Sequence, residues 1–159
     1  MTLRRILVWV TISLSISTQA SSQSFPSFHV LSIVPQKPLS VKTSKDLELS
    51  LTLRIRQGYH INSSRPADDY LIPTKLTWDT TVFPLKSIDY PDGEDVIYSF
   101  SKKPLSVYSG EIKIVSTFRT SATLRNRPTA IAGSLRYQAC NERACFPPRT
   151  ISVKIPLLY

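Results

Sequence analysis

Leu47-Glu48-Leu49-Ser50-Leu51-Thr52-Leu53-Arg54-Ile55 decides the fold. Aliphatic side chains occupy every odd position and polar ones every even position, so an extended chain places all the aliphatics on one face. A helix would scatter them around its axis. The stretch is therefore a half-buried β-strand with one wet face. Ile112, Ile114 and Phe118 repeat the pattern between Glu111, Lys113 and Arg119. In Ile131–Ala139, Leu135 and Tyr137 point inward while Ser134, Arg136 and Gln138 point outward. Ile151, Val153 and Ile155 give a fourth run, and Val30–Val34 and Leu76–Trp78 are shorter candidates.

Turn chemistry separates these runs at Gln57-Gly58, Pro91-Asp92-Gly93, Ser109-Gly110 and Asn126-Arg127-Pro128. The 12 prolines along the 159 residues exclude a helical bundle, because an interior proline costs a helix about 3 kcal/mol. With 42% hydrophobic and 19% charged residues, the chain can bury an ordinary globular core. About seven short strands without βαβ alternation predict an all-β, immunoglobulin-like antiparallel β-sandwich. No internal repeat or second domain is evident. Segments 57–73 and 91–109 lack a clear period and read as long ordered loops, the places where function tends to sit on a rigid sandwich.

The first twenty residues have the form of an address. Arg4 and Arg5 precede an apolar run from Ile6 to Ile16, and small residues gather at Thr18, Ala20, Ser21 and Ser22. This predicts a signal peptide over residues 1–20, cleaved near Ala20 or Ser22, and a mature domain over 21–159. The apolar run falls short of the roughly 20 residues that span a bilayer, so no membrane span is expected after cleavage. Export places both cysteines in an oxidising compartment. Loss of Arg4 and Arg5 takes the net charge from +9 to +7.

Those cysteines carry the chemistry. They lie in Tyr137-Gln138-Ala139-Cys140-Asn141-Glu142-Arg143-Ala144-Cys145-Phe146-Pro147-Pro148, between the third and fourth strong strands. A four-residue turn can bring Cys140 and Cys145 within bonding range. As a staple the bridge contributes little: closing about six residues gives roughly 2 kcal/mol, against about 4.7 for a hundred-residue loop. A short, exposed bridge is instead the kind that is reduced and re-formed in service. Arg143 and Arg149, close in sequence, are suited to stabilising a thiolate. A redox-active pair, a structural staple and a metal ligand pair all remain open from the residues themselves. Metal has the weakest basis. His29 and His60 stand in no ligand spacing and read as surface or turn residues.

Together with Gly58-Tyr59-His60-Ile61, the cysteine stretch resembles the N-terminal periplasmic domain of the thiol:disulfide interchange protein DsbD family. The resemblance covers essentially the whole mature chain. It implies an immunoglobulin-like domain and a thiol:disulfide oxidoreductase module in the periplasm, with a link to cytochrome c biogenesis. Electrons would come from a transmembrane thiol:disulfide reductase and pass to periplasmic thioredoxin-fold proteins. It also implies that Cys145 forms the mixed disulfide and Cys140 resolves it. An aromatic cap would shield the pair, with Phe100 in that role and Tyr59 lining the site. The spacing here is four residues where the best-known members have five. The chain ends at Tyr159 without the family's membrane conduit, so the expectation is a free-standing, monomeric shuttle that needs no cofactor and depends on a membrane partner.

Other readings are weaker. The basic residues are scattered, with no run longer than Lys102-Lys103, so nucleic acid is not expected as a partner. Asn62-Ser63-Ser64 fits the glycosylation pattern, and the adjacent Asp68-Asp69 diverge in an extended chain. The rival to electron transfer is a non-enzymatic secreted β-sandwich binding module with a structural hairpin disulfide.

Overall fold

The computed structural model describes residues 29–121 and 127–159; the segment read as a signal peptide and Asn126 of the last predicted turn lie outside them. The strands, in chain order, are β1 (Leu31–Ile33), β2 (Leu39–Ser40), β3 (Leu47–Ile55), β4 (His60–Asn62), β5 (Lys75–Trp78), β6 (Leu85–Asp89), β7 (Glu94–Val96), β8 (Leu105–Tyr108), β9 (Glu111–Phe118), β10 (Ala130–Tyr137), β11 (Ala139–Cys140) and β12 (Arg149–Leu158). They form three four-stranded sheets, ordered β1-β3-β9-β6, β2-β12-β10-β5 and β11-β4-β8-β7. The fold is the expected all-β, immunoglobulin-like sandwich. It is antiparallel except where β2 joins β12 in parallel, Leu39 beside Leu157 and Ser40 beside Leu158. No helix among the described residues is long and apolar enough to cross a membrane.

The alternation in β3 does what its period demands. Leu47, Leu49, Leu51, Leu53 and Ile55 are all buried, and they meet Leu76, Trp78, Ile131, Leu135, Val153 and Ile155 from the second sheet in one core. Trp78 ties the two layers together. Its indole N–H donates to the Ser116 hydroxyl at 2.9 Å, and its ring stands edge-on to Phe118 at 5.8 Å. On the wet face Arg54 and Glu111 pair at 2.9 Å, an exposed contact contributing at most about 1 kcal/mol.

Gly133 is required by packing. A Cβ there would lie 2.5 Å from the Trp78 ring and 2.6 Å from the Thr77 carbonyl oxygen. Gly133→Ala is therefore expected to destabilise the domain by about 2 kcal/mol, through overpacking between β10 and β5. Urea unfolding checks this: the midpoint should fall with the slope unchanged. Gly58 and Gly110 serve a different need. Both sit at predicted turns with φ of +80° and +62°, a region that favours glycine.

Three expectations need correction. Segment 57–73 is not wholly loop, because His60–Asn62 forms a buried strand in the third sheet. Segment 91–109 holds two strands, β7 and β8, paired through Glu94–Val107 and Val96–Leu105. Finally, Ile131–Ala139 is not one strand. The chain pairs with β5 through Arg136 and with β12 through Tyr137, then changes sheet at Gln138 and pairs with β4. That transfer places Cys140 on the edge strand of the third sheet.

Candidate functional site

Gln138 marks the transfer and anchors it. Sequence alternation points its side chain outward, yet its Oε1 accepts from Asn62 Nδ2 at 3.1 Å and from the Ile72 N–H at 3.2 Å. Its Nε2 donates to the Phe146 carbonyl at 3.1 Å, linking both sides of the cysteine turn to β4. Asn62 is fully buried and also donates to the Ile72 carbonyl at 3.0 Å, so the folded domain does not present it as a glycan acceptor.

The turn itself is built around Asn141. Its Oδ1 accepts from the Arg143 and Ala144 N–H groups at 2.9 and 3.0 Å, the local bonding that suits asparagine to turns. Backbone bonds from Asn141 N–H to the Ala144 carbonyl and from Phe146 N–H to the Ala139 carbonyl close the hairpin. Cys140 and Cys145 face each other across it, Cα atoms 3.9 Å apart, joined by a disulfide. The bridge is not uniformly exposed as expected. Cys140 is 0% exposed, whereas Cys145 is partly open. Arg143 is exposed at the tip, and Arg149 begins β12, where its charge acts on the Tyr137 hydroxyl.

An aromatic column covers the third sheet beside Cys140. Register pairs Cys140 with His60, and Ala139 with Ile61. Ala139 and Ile61 face the main core, so Cys140 and His60 face the other way. Tyr98 stacks on His60 at 4.0 Å between ring centroids, and Phe100 stacks on Tyr98 at 5.6 Å. The Ser99 hydroxyl donates to the Glu142 carbonyl at 2.8 Å, fastening this covering segment to the cysteine turn. His60 is thus neither a surface nor a turn residue. It is 3% exposed, and burial holds its pKa down to about 4. Tyr98 is pushed up, first by burial and then by the carboxylates of Glu142 and Glu94.

The residues singled out from sequence fall into two groups. Phe100 is the outermost ring of the column, 40% exposed, with Tyr98 between it and His60. Tyr59 packs partly on the main core, with its ring 6.1 Å from that of Phe146 on the far side of the turn. Phe146, Pro147 and Pro148 line a groove of about 220 Å³ with Val30, Tyr137 and Ala139. His60, Tyr98 and Gln138 are not among the site residues expected from sequence, although His60 and Gln138 fall within the two stretches that carry the family resemblance. The placement of Gly58-Tyr59-His60 directly after a core strand was the available signal. Among the described residues, no group of three or more His, Cys, Asp or Glu is arranged to hold a metal ion.

A disulfide on a sheet edge, one cysteine sealed and the other partly open beside a groove, is an arrangement that a thiol–disulfide exchange module can use. The chain belongs to the family of N-terminal domains of the thiol:disulfide interchange protein DsbD, whose model matches residues 30–156. Among solved structures, it is similar to the Neisseria meningitidis DsbD N-terminal domain in the reduced form. The identity is 19%, the match covers 67% of this chain and 74% of that one, and the TM-score is 0.47. It is also similar to the N-terminal periplasmic domain of ScsB from Proteus mirabilis, at 11% identity and a TM-score of 0.54, covering 75% of this chain and 44% of that one. No curated protein matches the chain by sequence.

Proposed function

We propose that this chain is a periplasmic electron carrier that passes reducing equivalents through the Cys140–Cys145 pair from a transmembrane thiol:disulfide reductase to exported thioredoxin-fold proteins. The observation that carries the reading is the unequal exposure of the two cysteines. An incoming thiolate reaches the Cys145 sulfur and not that of Cys140. Attack there breaks the disulfide, joins the donor to Cys145 and leaves the electron pair on Cys140. The donor's second thiol then displaces Cys145, and the donor departs oxidised. With an oxidised acceptor the same steps run in reverse: Cys145 attacks, and Cys140 resolves the mixed disulfide. The apolar groove beside Phe146, Pro147 and Pro148 supplies the contact surface next to the reacting sulfur.

Membership of the family and the small stabilisation, roughly 2 kcal/mol, expected from a bridge closing about six residues support the reading. A redox titration of the purified domain tests it. The expected midpoint lies above about −300 mV, outside the range of structural bridges. A midpoint well below that value would leave a binding module with a hairpin staple.

A further inference from the structure

We propose that His60 Nε2 is the hydrogen-bond acceptor for the Cys140 thiol, a bond that exists only when the disulfide is open. The proposal rests on the exchange reading above and adds a residue to it.

Three observations meet at this nitrogen. Nε2 is buried and has no hydrogen-bond partner among the described residues. His60 lies directly across the ladder from Cys140. Side chains opposite one another share a face, with Cβ atoms about 4.5–5.5 Å apart, within reach of a thiol to an imidazole nitrogen. The Tyr98 ring, stacked at 4.0 Å, fixes the orientation of the imidazole. An unpaired buried acceptor is unfavourable, and a disulfide has no proton with which to relieve it, whereas a thiol does. Burial keeps the imidazole neutral at ordinary pH, so that Nε2 can accept.

The redox balance is simple. A dithiol donor gives two electrons and two protons and becomes a disulfide. The Cys140–Cys145 bond breaks, and each sulfur gains a proton. The Cys140 S–H then donates to Nε2. The bond favours the reduced form, and it holds the proton on Cys140 so that Cys145 is left as the attacking thiol. His60 acts here through Cys140 and is a positioning residue.

Equilibration of wild type, His60→Phe and His60→Gln with dithiothreitol buffers tests the proposal. Phenylalanine keeps a ring under Tyr98 but offers no acceptor, while glutamine keeps an acceptor. His60→Phe is expected to be about tenfold harder to reduce, a midpoint about 30 mV more negative for a two-electron couple. His60→Gln should stay within about threefold of wild type. A His60→Phe midpoint equal to wild type, or equal shifts in both variants, would overturn the assignment. Should neither variant fold, ¹⁵N spectra of wild type decide: the Nε2 resonance should move upfield on reduction, and an unmoved resonance rejects the bond. The two readings fail separately. A wild-type midpoint in the structural range sinks the carrier role, whereas an exchange-range midpoint indifferent to His60→Phe sinks only this assignment.

Discussion

Cys140→Ala will turn the proposed carrier into a trap, and Cys145→Ala will silence it. With Cys140 gone, Cys145 remains partly open on the hairpin and still attacks an oxidised thioredoxin-fold protein. The mixed disulfide then persists, because no second sulfur is placed to resolve it. With Cys145 gone, the remaining thiol is the fully buried Cys140, and exchange should drop to the level of a protein lacking both cysteines. Neither loss should unfold the domain, since a bridge closing about six residues contributes roughly 2 kcal/mol. Non-reducing gels and intact-mass spectra of each variant, after incubation with an oxidised acceptor, read the difference directly. Equal adduct yields from the two variants would contradict the unequal exposure on which the proposed role rests.

The sandwich was legible because its core strands obey a strict period of two, and burial on one face enforces it. β3 matches its sequence expectation residue for residue, and β9, β10 and β12 are found close to theirs. The third sheet was not legible, for three physical reasons. Its strands are two to four residues long, too short to show a period. β4 is buried at all three positions, so His60 and Asn62 sit where alternation predicts solvent on one side. At Gln138 the chain changes sheets without a glycine or proline to announce it. The cysteines were legible as a pair, from spacing. Their inequality was not, because it depends on which sheet edge receives Cys140 and on the rings laid over His60. Phe100 was singled out as the shield, but the ring in contact with His60 is Tyr98, two residues earlier. A loop aromatic can be recognised from sequence, while its order in a stack depends on how the loop folds back.

The buried imidazole also predicts how the domain fails in acid. In the unfolded chain His60 takes up a proton near pH 6.5, while in the folded domain burial holds that step down to about pH 4. Between these values the unfolded state binds the extra proton and the folded state refuses it. Stability contributed by the neutral form is therefore complete above about pH 6.5 and falls as the pH is lowered. One pKa unit corresponds to about 1.4 kcal/mol, so the loss attributable to His60 reaches about 3 kcal/mol at pH 4. Glu94 and Glu142 act on the covering Tyr98 and would favour an imidazolium, but both are exposed and well screened. Carboxylates elsewhere also gain protons in this range, so the comparison must be between proteins. Denaturant unfolding at pH 7 and pH 4 should show wild type losing about 3 kcal/mol more than His60→Phe, because phenylalanine has nothing to titrate. An equal loss in both proteins would mean that the imidazole is not held neutral beneath Tyr98, and acid sensitivity would then have to come from the surface carboxylates.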